Sequence, residues 1–158
     1  MTEPTRPTRR RLHHEVPHWV EDDAAFFITV NGAKRGCTQL TLPEIASGVL
    51  EAARFYHDEH KWHLTLLLLM PDHFHAIMSF PRIAVMADLF KHWKRYTART
   101  LGIQWQDGFF EHRLRNFQEE AAKYHYIRHN PVRKKLCDSP EAWPHQIRWS
   151  SEGLVIGG

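Results

Sequence analysis

Residues 66–80 constrain the fold of this chain more than any other stretch, because they predict two buried strands joined by a tight turn. Four consecutive leucines at positions 66–69 favour a strand that is covered on both faces and therefore central in its sheet. Pro71 and Asp72 supply the turn. In the strand that follows, His73 and His75 point to one face and Phe74 to the other. Two imidazoles on one face of a buried sheet require a partner, and a metal ion would supply one.

The remaining apolar patterns predict an α+β fold: a ferredoxin-like antiparallel sheet with helices on one side. The predicted strands are residues 24–30, 62–70, 73–80 and 109–115. Of the three predicted helices, the first ends near residue 57, the second covers about 83–100 and the third covers about 118–130. The order strand, helix, strand, strand, helix, strand is ferredoxin-like, and an extra C-terminal helix with tyrosines and an irregular tail follow it.

Capping and breaking residues predict where these helices begin and end. Thr41 is the expected N-cap of the first helix, with Pro43 in its first turn. Gly102 is expected to end the second helix. Pro131 disfavours helical backbone in the residue before it, so the third helix is expected to stop at Asn130.

Length and composition indicate one domain in an intracellular setting. The 158 residues fit a single domain over 19–158, preceded by a flexible basic arm over 1–18. The two cysteines are isolated, which favours a reduced, cytoplasmic protein. No apolar run is long enough to span a membrane, so we expect no membrane partner. The net charge of +3 is a mild indication of a polyanionic partner.

Two basic segments are candidates for contact with nucleic acid. Basic residues recur every four positions along the second predicted helix and form a ridge about three turns long. The ridge residues are Lys91, Lys94, Arg95 and Arg99. The run of Arg9, Arg10 and Arg11 lies in the arm. Both patterns are also typical of solvated surface, but the ridge directly follows the histidine strand, which favours phosphate binding.

The third predicted helix carries two tyrosines with different surroundings. At about 100° per residue, Tyr124 shares an apolar face with Phe117 and Ile127 and is expected in the core. Tyr126 lies about 200° from Tyr124 and therefore points away from that face. Asn130 follows Tyr126 by four residues, so the two side chains lie beside each other. Alone, Tyr126 would be a partly exposed aromatic at a helix end; beside Asn130 it is a candidate nucleophile.

Two segments resemble the signature blocks of REP-associated tyrosine transposases, which are single-tyrosine HUH (histidine–hydrophobic–histidine) transposases of the IS200-like type. They are residues 70–75, Met-Pro-Asp-His-Phe-His, and residues 126–133, Tyr-Ile-Arg-His-Asn-Pro-Val-Arg. Residues 105–115 and 148–151 are similar to two weaker blocks, so the resemblance spans roughly residues 24 to 151. The chain departs from the pattern at Phe27, where members often carry histidine, and at Glu111, where aspartate is usual.

The resemblance implies an HUH catalytic domain that nicks single-stranded DNA and transfers the strand. His73 and His75 would hold Mg²⁺ or Mn²⁺ together with the side-chain oxygen of Asn130. Tyr126 would attack the scissile phosphate, leaving a 5′-phosphotyrosine and a free 3′-hydroxyl. Because phenols have a reference pKa of about 10 and are weak nucleophiles at neutral pH, His129 is a candidate proton acceptor.

The implied partner is hairpin-forming repeat DNA, bound by a nucleoid-associated protein. Members of this branch act as monomers, although dimers occur in the wider family. One alternative is a domesticated relative that binds hairpins without cutting them. A small-ligand metal module is the other alternative, and no cofactor motif supports it.

Overall fold

The structure, a computed structural model, describes residues 24–157. Arg9, Arg10 and Arg11 and the predicted arm lie outside the described residues. The elements in chain order are β1 (Ala25–Asn31), α1 (Pro43–Asp58), β2 (His63–Leu69), β3 (His73–Ser79), α2 (Met86–Leu101), β4 (Phe110–Leu114), α3 (Phe117–Arg128), α4 (Asn130–Arg133), β5 (Gln146–Ser150) and β6 (Gly153–Ile156). Short 3₁₀ turns occur at Gln39–Thr41 and Pro140–Ala142.

One antiparallel sheet of six strands, in the order β4-β1-β3-β2-β5-β6, organises the described chain. Along the chain, strands β1 to β4 and helices α1 and α2 follow the predicted ferredoxin-like order of elements, so the predicted α+β class is confirmed. β1 and β3 lie side by side, and β2 lies on the other side of β3. The histidine strand β3 and the leucine-rich strand β2 are therefore the two central strands of the sheet, and the hydrophobic pattern predicted this position for β2.

The hairpin of β2 and β3 has the predicted turn at residues 71–72. The backbone N–H of Met70 donates to the carbonyl of His73 at 2.8 Å and closes the turn. Every residue of β2 is buried. The register shifts between Leu64 and Leu66, so that Thr65 is an extra residue in the strand and the face to which the later leucines point is reversed.

The helices divide between the two faces of this sheet. Val49 of α1 and Trp93 of α2 belong to one buried cluster with Leu67 and Phe74. Ile127 of α3 belongs to a second buried cluster with Leu66, Leu68, Ile77 and Leu114. Because Phe74 faces α1 and α2, its neighbours His73 and His75 face the side on which α3 packs.

The predicted starts of the first and second helices require correction. Leu42, not Thr41, is the N-cap of α1, because Thr41 already belongs to the preceding 3₁₀ turn and donates its hydroxyl to the carbonyl of Thr38 at 3.3 Å. The second helix begins at Met86 rather than near Ile83, whose side chain is 95% exposed. A turn at Pro81, closed by the N–H of Ala84, delays that start. Gly102 ends α2 with φ of 70°, as predicted.

The predicted stop at Asn130 is wrong, because α3 ends at Arg128 and a new turn of helix begins at Asn130. Pro131 lies in the first turn of α4, where its missing N–H leaves no hydrogen bond unmade. Proline therefore marks a second helix start here, not an end. The backbone of His129 stays close to helical, and its carbonyl accepts the N–H of Arg133 at 2.9 Å, so α4 follows α3 directly.

The expectation of an irregular tail is wrong for residues 146–156. Ile147 lies opposite Leu67, so β5 covers the edge of β2, and β6 adds a last strand. The buried edge of β2 needs partners for its backbone groups, and no short-range pattern in the tail predicts that pairing. Among residues 24–157, no helix is long and apolar enough to cross a membrane.

Candidate active site

The two histidines of β3 lie side by side, with their ring centroids 4.7 Å apart. Asp72 Oδ1 lies 2.7 Å from Nδ1 of His73, and as a carboxylate it accepts the Nδ1 proton. Thr29 of β1 lies opposite His75 in the sheet, and its hydroxyl is 2.9 Å from Nδ1 of His75. Since both Nδ1 atoms have partners, Nε2 is the atom that each ring offers to a metal ion.

Electrostatics keep His75 neutral. Burial of the ring, together with the charges of His73, Lys123 and Arg133, lowers the pKa of His75 to about 3. The imidazole therefore carries a lone pair at neutral pH, and the neutral form is the one that binds metals.

Asp72 connects the histidine strand to the loop that follows β1. Its Oδ2 accepts the backbone N–H of Gly36 at 2.8 Å, and its carbonyl accepts the N–H of Gly32 at 2.7 Å. A Cβ atom on Gly32 would lie 3.0 Å from that carbonyl oxygen, so this close approach favours glycine. Burial raises the pKa of Asp72, but hydrogen bonds from Gly36 and His73 outweigh it and leave the pKa below its usual value.

A pocket of about 620 Å³ opens between this loop and the two histidines. Arg35 from the loop and Lys134 from the segment after α4 line the pocket together with His73 and His75. Two cations and two imidazoles in one open pocket suit an anionic ligand. Sequence reasoning missed Arg35, because the loop is near the histidines only through its contacts with Asp72.

Tyr126 is 51% exposed on α3, whereas Ile127 beside it is fully buried and Tyr124 packs against the core. The predicted division between the two tyrosines is therefore confirmed as geometry. Arg133 of α4 packs on Tyr126, with its guanidinium carbon 4.0 Å from the ring centroid. The same guanidinium donates from Nη2 to the backbone carbonyl of Tyr126 at 2.6 Å.

Phe27 and Lys123 connect the tyrosine to the histidine pair. The Phe27 ring lies 5.3 Å from the ring of His75. Lys123 places its Nζ 4.6 Å from the centroid of Phe27 and 5.3 Å from that of Tyr126. The structure therefore brings His75 and Tyr126 to one face of the sheet, connected by the contacts of Phe27 and Lys123. The only sequence signal for Lys123 is its position three residues before Tyr126, on the same side of the helix.

Asn130 is the first residue of α4, one turn after Tyr126, and is 6% exposed. Within the described residues, no group of three or more His, Cys, Asp or Glu side chains is arranged to hold a metal ion. A metal on the histidine pair would thus need a ligand of another type. Two oriented imidazoles and a carboxamide oxygen form a donor set that fits a divalent cation.

The segment after α4 holds the tyrosine helix against its own sheet. Arg128 is 9% exposed and donates from Nη1 to Oε1 of Gln146, at the start of β5, at 2.6 Å. Gln146 in turn donates to the carbonyl of Trp143 at 2.7 Å. The indole N–H of Trp143 donates to the carbonyl of Leu69 at 2.9 Å. Buried hydrogen bonds thus run from α3 to the end of β2.

The basic ridge lies on α2, across the sheet from the histidines, and its members differ. Lys91, Arg95 and Arg99 are exposed. Lys94 instead donates its amine to the carbonyls of Gln106 at 2.7 Å and Gly108 at 2.9 Å. Burial lowers the pKa of Lys94. Lys94 holds the loop before β4, whereas the other three side chains are available to a ligand.

His129, the candidate proton acceptor, stacks on His125 with ring centroids 3.9 Å apart. Its Nδ1 lies 2.9 Å from the backbone carbonyl of His125, so Nδ1 donates its proton there. Nε2 is then the atom through which His129 can accept a proton.

Two solved structures are similar to this one. A REP-associated tyrosine transposase bound to a REP hairpin has a TM-score of 0.69 and 23% sequence identity, over 84% of this chain and 81% of that one. A candidate transposase from Deinococcus radiodurans R1 has a TM-score of 0.50 and 19% identity, over 72% of this chain and 95% of that one. No protein-family model and no curated protein sequence matches the chain. The chain therefore has the fold found in these two proteins.

Proposed function

We propose that this chain is a REP-associated tyrosine transposase of the HUH type. It would nick single-stranded DNA beside a hairpin and transfer the strand through a 5′-phosphotyrosine. One observation carries the proposal: the exposed Tyr126 and the His73–His75 pair lie on the same face of the sheet, linked by Phe27 and Lys123. The shared fold with a transposase that is bound to a REP hairpin supports it.

In the proposed reaction, the hydroxyl oxygen of Tyr126 attacks the scissile phosphorus. A bond forms between that oxygen and phosphorus, and the bond from phosphorus to the 3′-oxygen breaks. One proton leaves the phenol, with Nε2 of His129 as its candidate acceptor, and one is taken up by the 3′-oxygen. No other reactant is consumed and the phosphodiester energy is retained, so the reverse step joins the held strand to a new 3′-hydroxyl.

The metal-binding role falls to three side chains. His73 and His75 would bind a divalent ion through Nε2, and Asn130 through its amide oxygen. Imidazole ligands favour Mn²⁺, while Mg²⁺ is the alternative that oxygen ligands accept. When bound, the ion supplies Lewis-acid stabilisation of the negative charge on the phosphoryl group. The orientation of both rings by Asp72 and Thr29 supports this assignment.

The proposed partner is folded single-stranded DNA. The chemistry needs a backbone that enters the space between Tyr126 and the histidines, which an unpaired strand allows more readily than a duplex. The candidate phosphate contacts on the other face of the sheet are Lys91, Arg95 and Arg99. A hairpin whose duplex stem is bound there would have to extend past the edge of the sheet to reach Tyr126 and the histidines. Arg9, Arg10 and Arg11 complete the proposed set, whereas the amine of Lys94 is committed to the loop before β4.

We propose that the active unit is a monomer. The buried hydrogen bond from Arg128 to Gln146 and the burial of Ile127 hold α3 on its own sheet. Tyr126 is therefore presented to the histidines of its own chain, and a second copy is not needed to complete the site.

The function is tested by incubating the full chain with labelled hairpin oligonucleotides that carry single-stranded flanks, in Mn²⁺ or Mg²⁺. We expect a covalent protein–DNA adduct on a denaturing gel, a free 3′-hydroxyl on the released fragment, and loss of both products in EDTA. Peptide mapping of the adduct should place the nucleotide on Tyr126. Hairpin binding without any adduct, across a set of flanks, would instead establish the non-catalytic binder.

Asp72→Asn should weaken metal binding, because an amide cannot match the carboxylate as an acceptor for His73. Loss of such an orienting partner typically costs about 10–100-fold in metal affinity. Calorimetric titration of Mn²⁺ without DNA measures the effect. Asp58→Asn is the matched control, since Asp58 pairs only with exposed Arg54 on α1 at 3.9 Å. Equal Mn²⁺ affinity in Asp72→Asn and wild type would contradict this role.

A further inference from the structure

We propose that Lys123 is a catalytic residue whose ammonium group binds the scissile phosphate between Tyr126 and the histidine pair. The inference deepens the proposed function and rests on it. Lys123 lies on α3, three residues before Tyr126, and is partly buried. Its Nζ lies within 5.3 Å of the Tyr126 ring centroid and 4.6 Å of that of Phe27, which in turn packs 5.3 Å from His75.

Nothing in the described structure neutralises this ammonium group. The ion pairs found for Asp58, Asp72, Glu119 and Glu141 are formed with other bases. Two aromatic faces hold Lys123 instead, and a cation over an aromatic ring remains able to bind an anion. A partly buried cation with no carboxylate partner is a ready position for a phosphate oxygen.

Arg133 has a different task from Lys123 although both contact Tyr126. The guanidinium of Arg133 stacks on the ring at 4.0 Å and donates to the tyrosine's own carbonyl at 2.6 Å. These contacts fix the ring and occupy the guanidinium on the α4 side. Lys123 instead contacts the faces of Phe27 and Tyr126, and the ammonium group on its flexible stem has three donors for a ligand. Arg133 is thus a positioning residue, and Lys123 is the cation beside Tyr126 that we assign to the phosphate.

The departure at Phe27 gives Lys123 its location. Many members of the family that this chain resembles carry histidine at the position of Phe27. Here the Phe27 ring contacts His75 on one side and Lys123 on the other. The apolar ring excludes water from one side of the ammonium group, which strengthens its attraction for an anion. In the proposed reaction, negative charge accumulates on the non-bridging phosphate oxygens, and a fixed cation nearby stabilises that charge.

Single-turnover adduct formation tests the inference. Removal of one group that stabilises the transition state typically costs about 10²–10³-fold in rate, and we expect Lys123→Met to lose about that much. Lys123→Arg retains the charge and should recover part of the rate. Lys61→Met is the control, because Lys61 also lies over a tyrosine, 5.1 Å from the Tyr56 ring, but in the connection between α1 and β2, away from the site. Affinity for a hairpin without a single-stranded flank, which does not reach Lys123, and melting temperature should match wild type in all three variants.

A second readout does not depend on cleavage. Acetylation of lysines, mapped by mass spectrometry in wild type and in Tyr126→Phe, should show Lys123 protected by a hairpin with a single-stranded flank. The same hairpin without the flank should not protect it, and Lys61 should react equally throughout. Protection of Lys123 without any adduct in wild type would refute the proposed nicking and retain the phosphate contact. Unprotected Lys123, or an adduct rate in Lys123→Met equal to wild type, would overturn the inference.

Discussion

We expect Tyr126→Phe to abolish covalent adduct formation and Tyr124→Phe to retain it. Both substitutions remove one hydroxyl from α3, so they are matched in chemistry and in element. Tyr126 is 51% exposed beside Lys123 and Arg133, whereas Tyr124 packs against the buried cluster beneath the helix. Loss of a nucleophile typically lowers the rate by about 10⁴-fold or more, which places the Tyr126→Phe product below detection.

Misfolding of Tyr126→Phe should not be the cause of the lost adduct formation. Phenylalanine keeps the aromatic face on which Arg133 stacks, and the backbone carbonyl that Arg133 binds is unchanged. Equal melting temperatures and equal hairpin affinities for the two variants would exclude a misfolded Tyr126→Phe. An adduct that persists in Tyr126→Phe and disappears in Tyr124→Phe would transfer the nucleophile to Tyr124 and contradict the division of the two faces.

Local periodicity was sufficient for the parts of the site that lie within one element. The alternation of a strand places His73 and His75 together, and the turn of a helix separates Tyr124 from Tyr126. Neither inference requires knowledge of the tertiary contacts. For this reason, periodicity alone predicts both the ferredoxin-like order of elements and the exposed tyrosine.

Contacts between distant segments were not predictable in the same way. Lys123 acquires its place from Phe27 on β1, and Gly36 meets Asp72 only because the loop after β1 folds over the histidine strand. β5 is a strand because the edge of β2 is available to it, not because of a pattern of its own. Pro131 shows the limit of a local rule, since the same residue disfavours helix before it and starts a helix after it.

The periodic spacing of the basic residues on α2 also predicted one shared role for them, whereas in the structure their roles differ. Spacing by four grouped Lys94 with the exposed bases of α2, yet its amine is committed to the carbonyls of Gln106 and Gly108. A ridge of like charges can therefore contain a residue whose main contribution is to hold a loop. Conversely, Lys123 belongs to no charge run, yet its amine lies over the rings of both Phe27 and Tyr126.

His73→Ala and His75→Ala should each remove the stabilisation that Mn²⁺ gives to the folded protein. A ligand that binds only the folded state at a concentration of 100 times its Kd stabilises it by about 2.7 kcal/mol. Wild type should therefore melt at a higher temperature in Mn²⁺ than in EDTA, without DNA present. His92→Ala, which removes an exposed imidazole from α2, should keep that difference.

The two variants are needed together because the rings differ in burial and in bonding. His75 faces Thr29 and Phe27 within the sheet, so its loss can lower the melting temperature in EDTA as well. His73 lies at the start of β3 beside Asp72, with a side chain that is 22% exposed, and its removal should leave the EDTA value close to wild type. A normal EDTA melting temperature with no Mn²⁺ shift in His73→Ala assigns the loss to ligation rather than to folding. If His73→Ala and His75→Ala kept the full Mn²⁺ shift, the metal would bind elsewhere, and the proposed assembly of Tyr126, Asn130 and the two histidines would have to be abandoned.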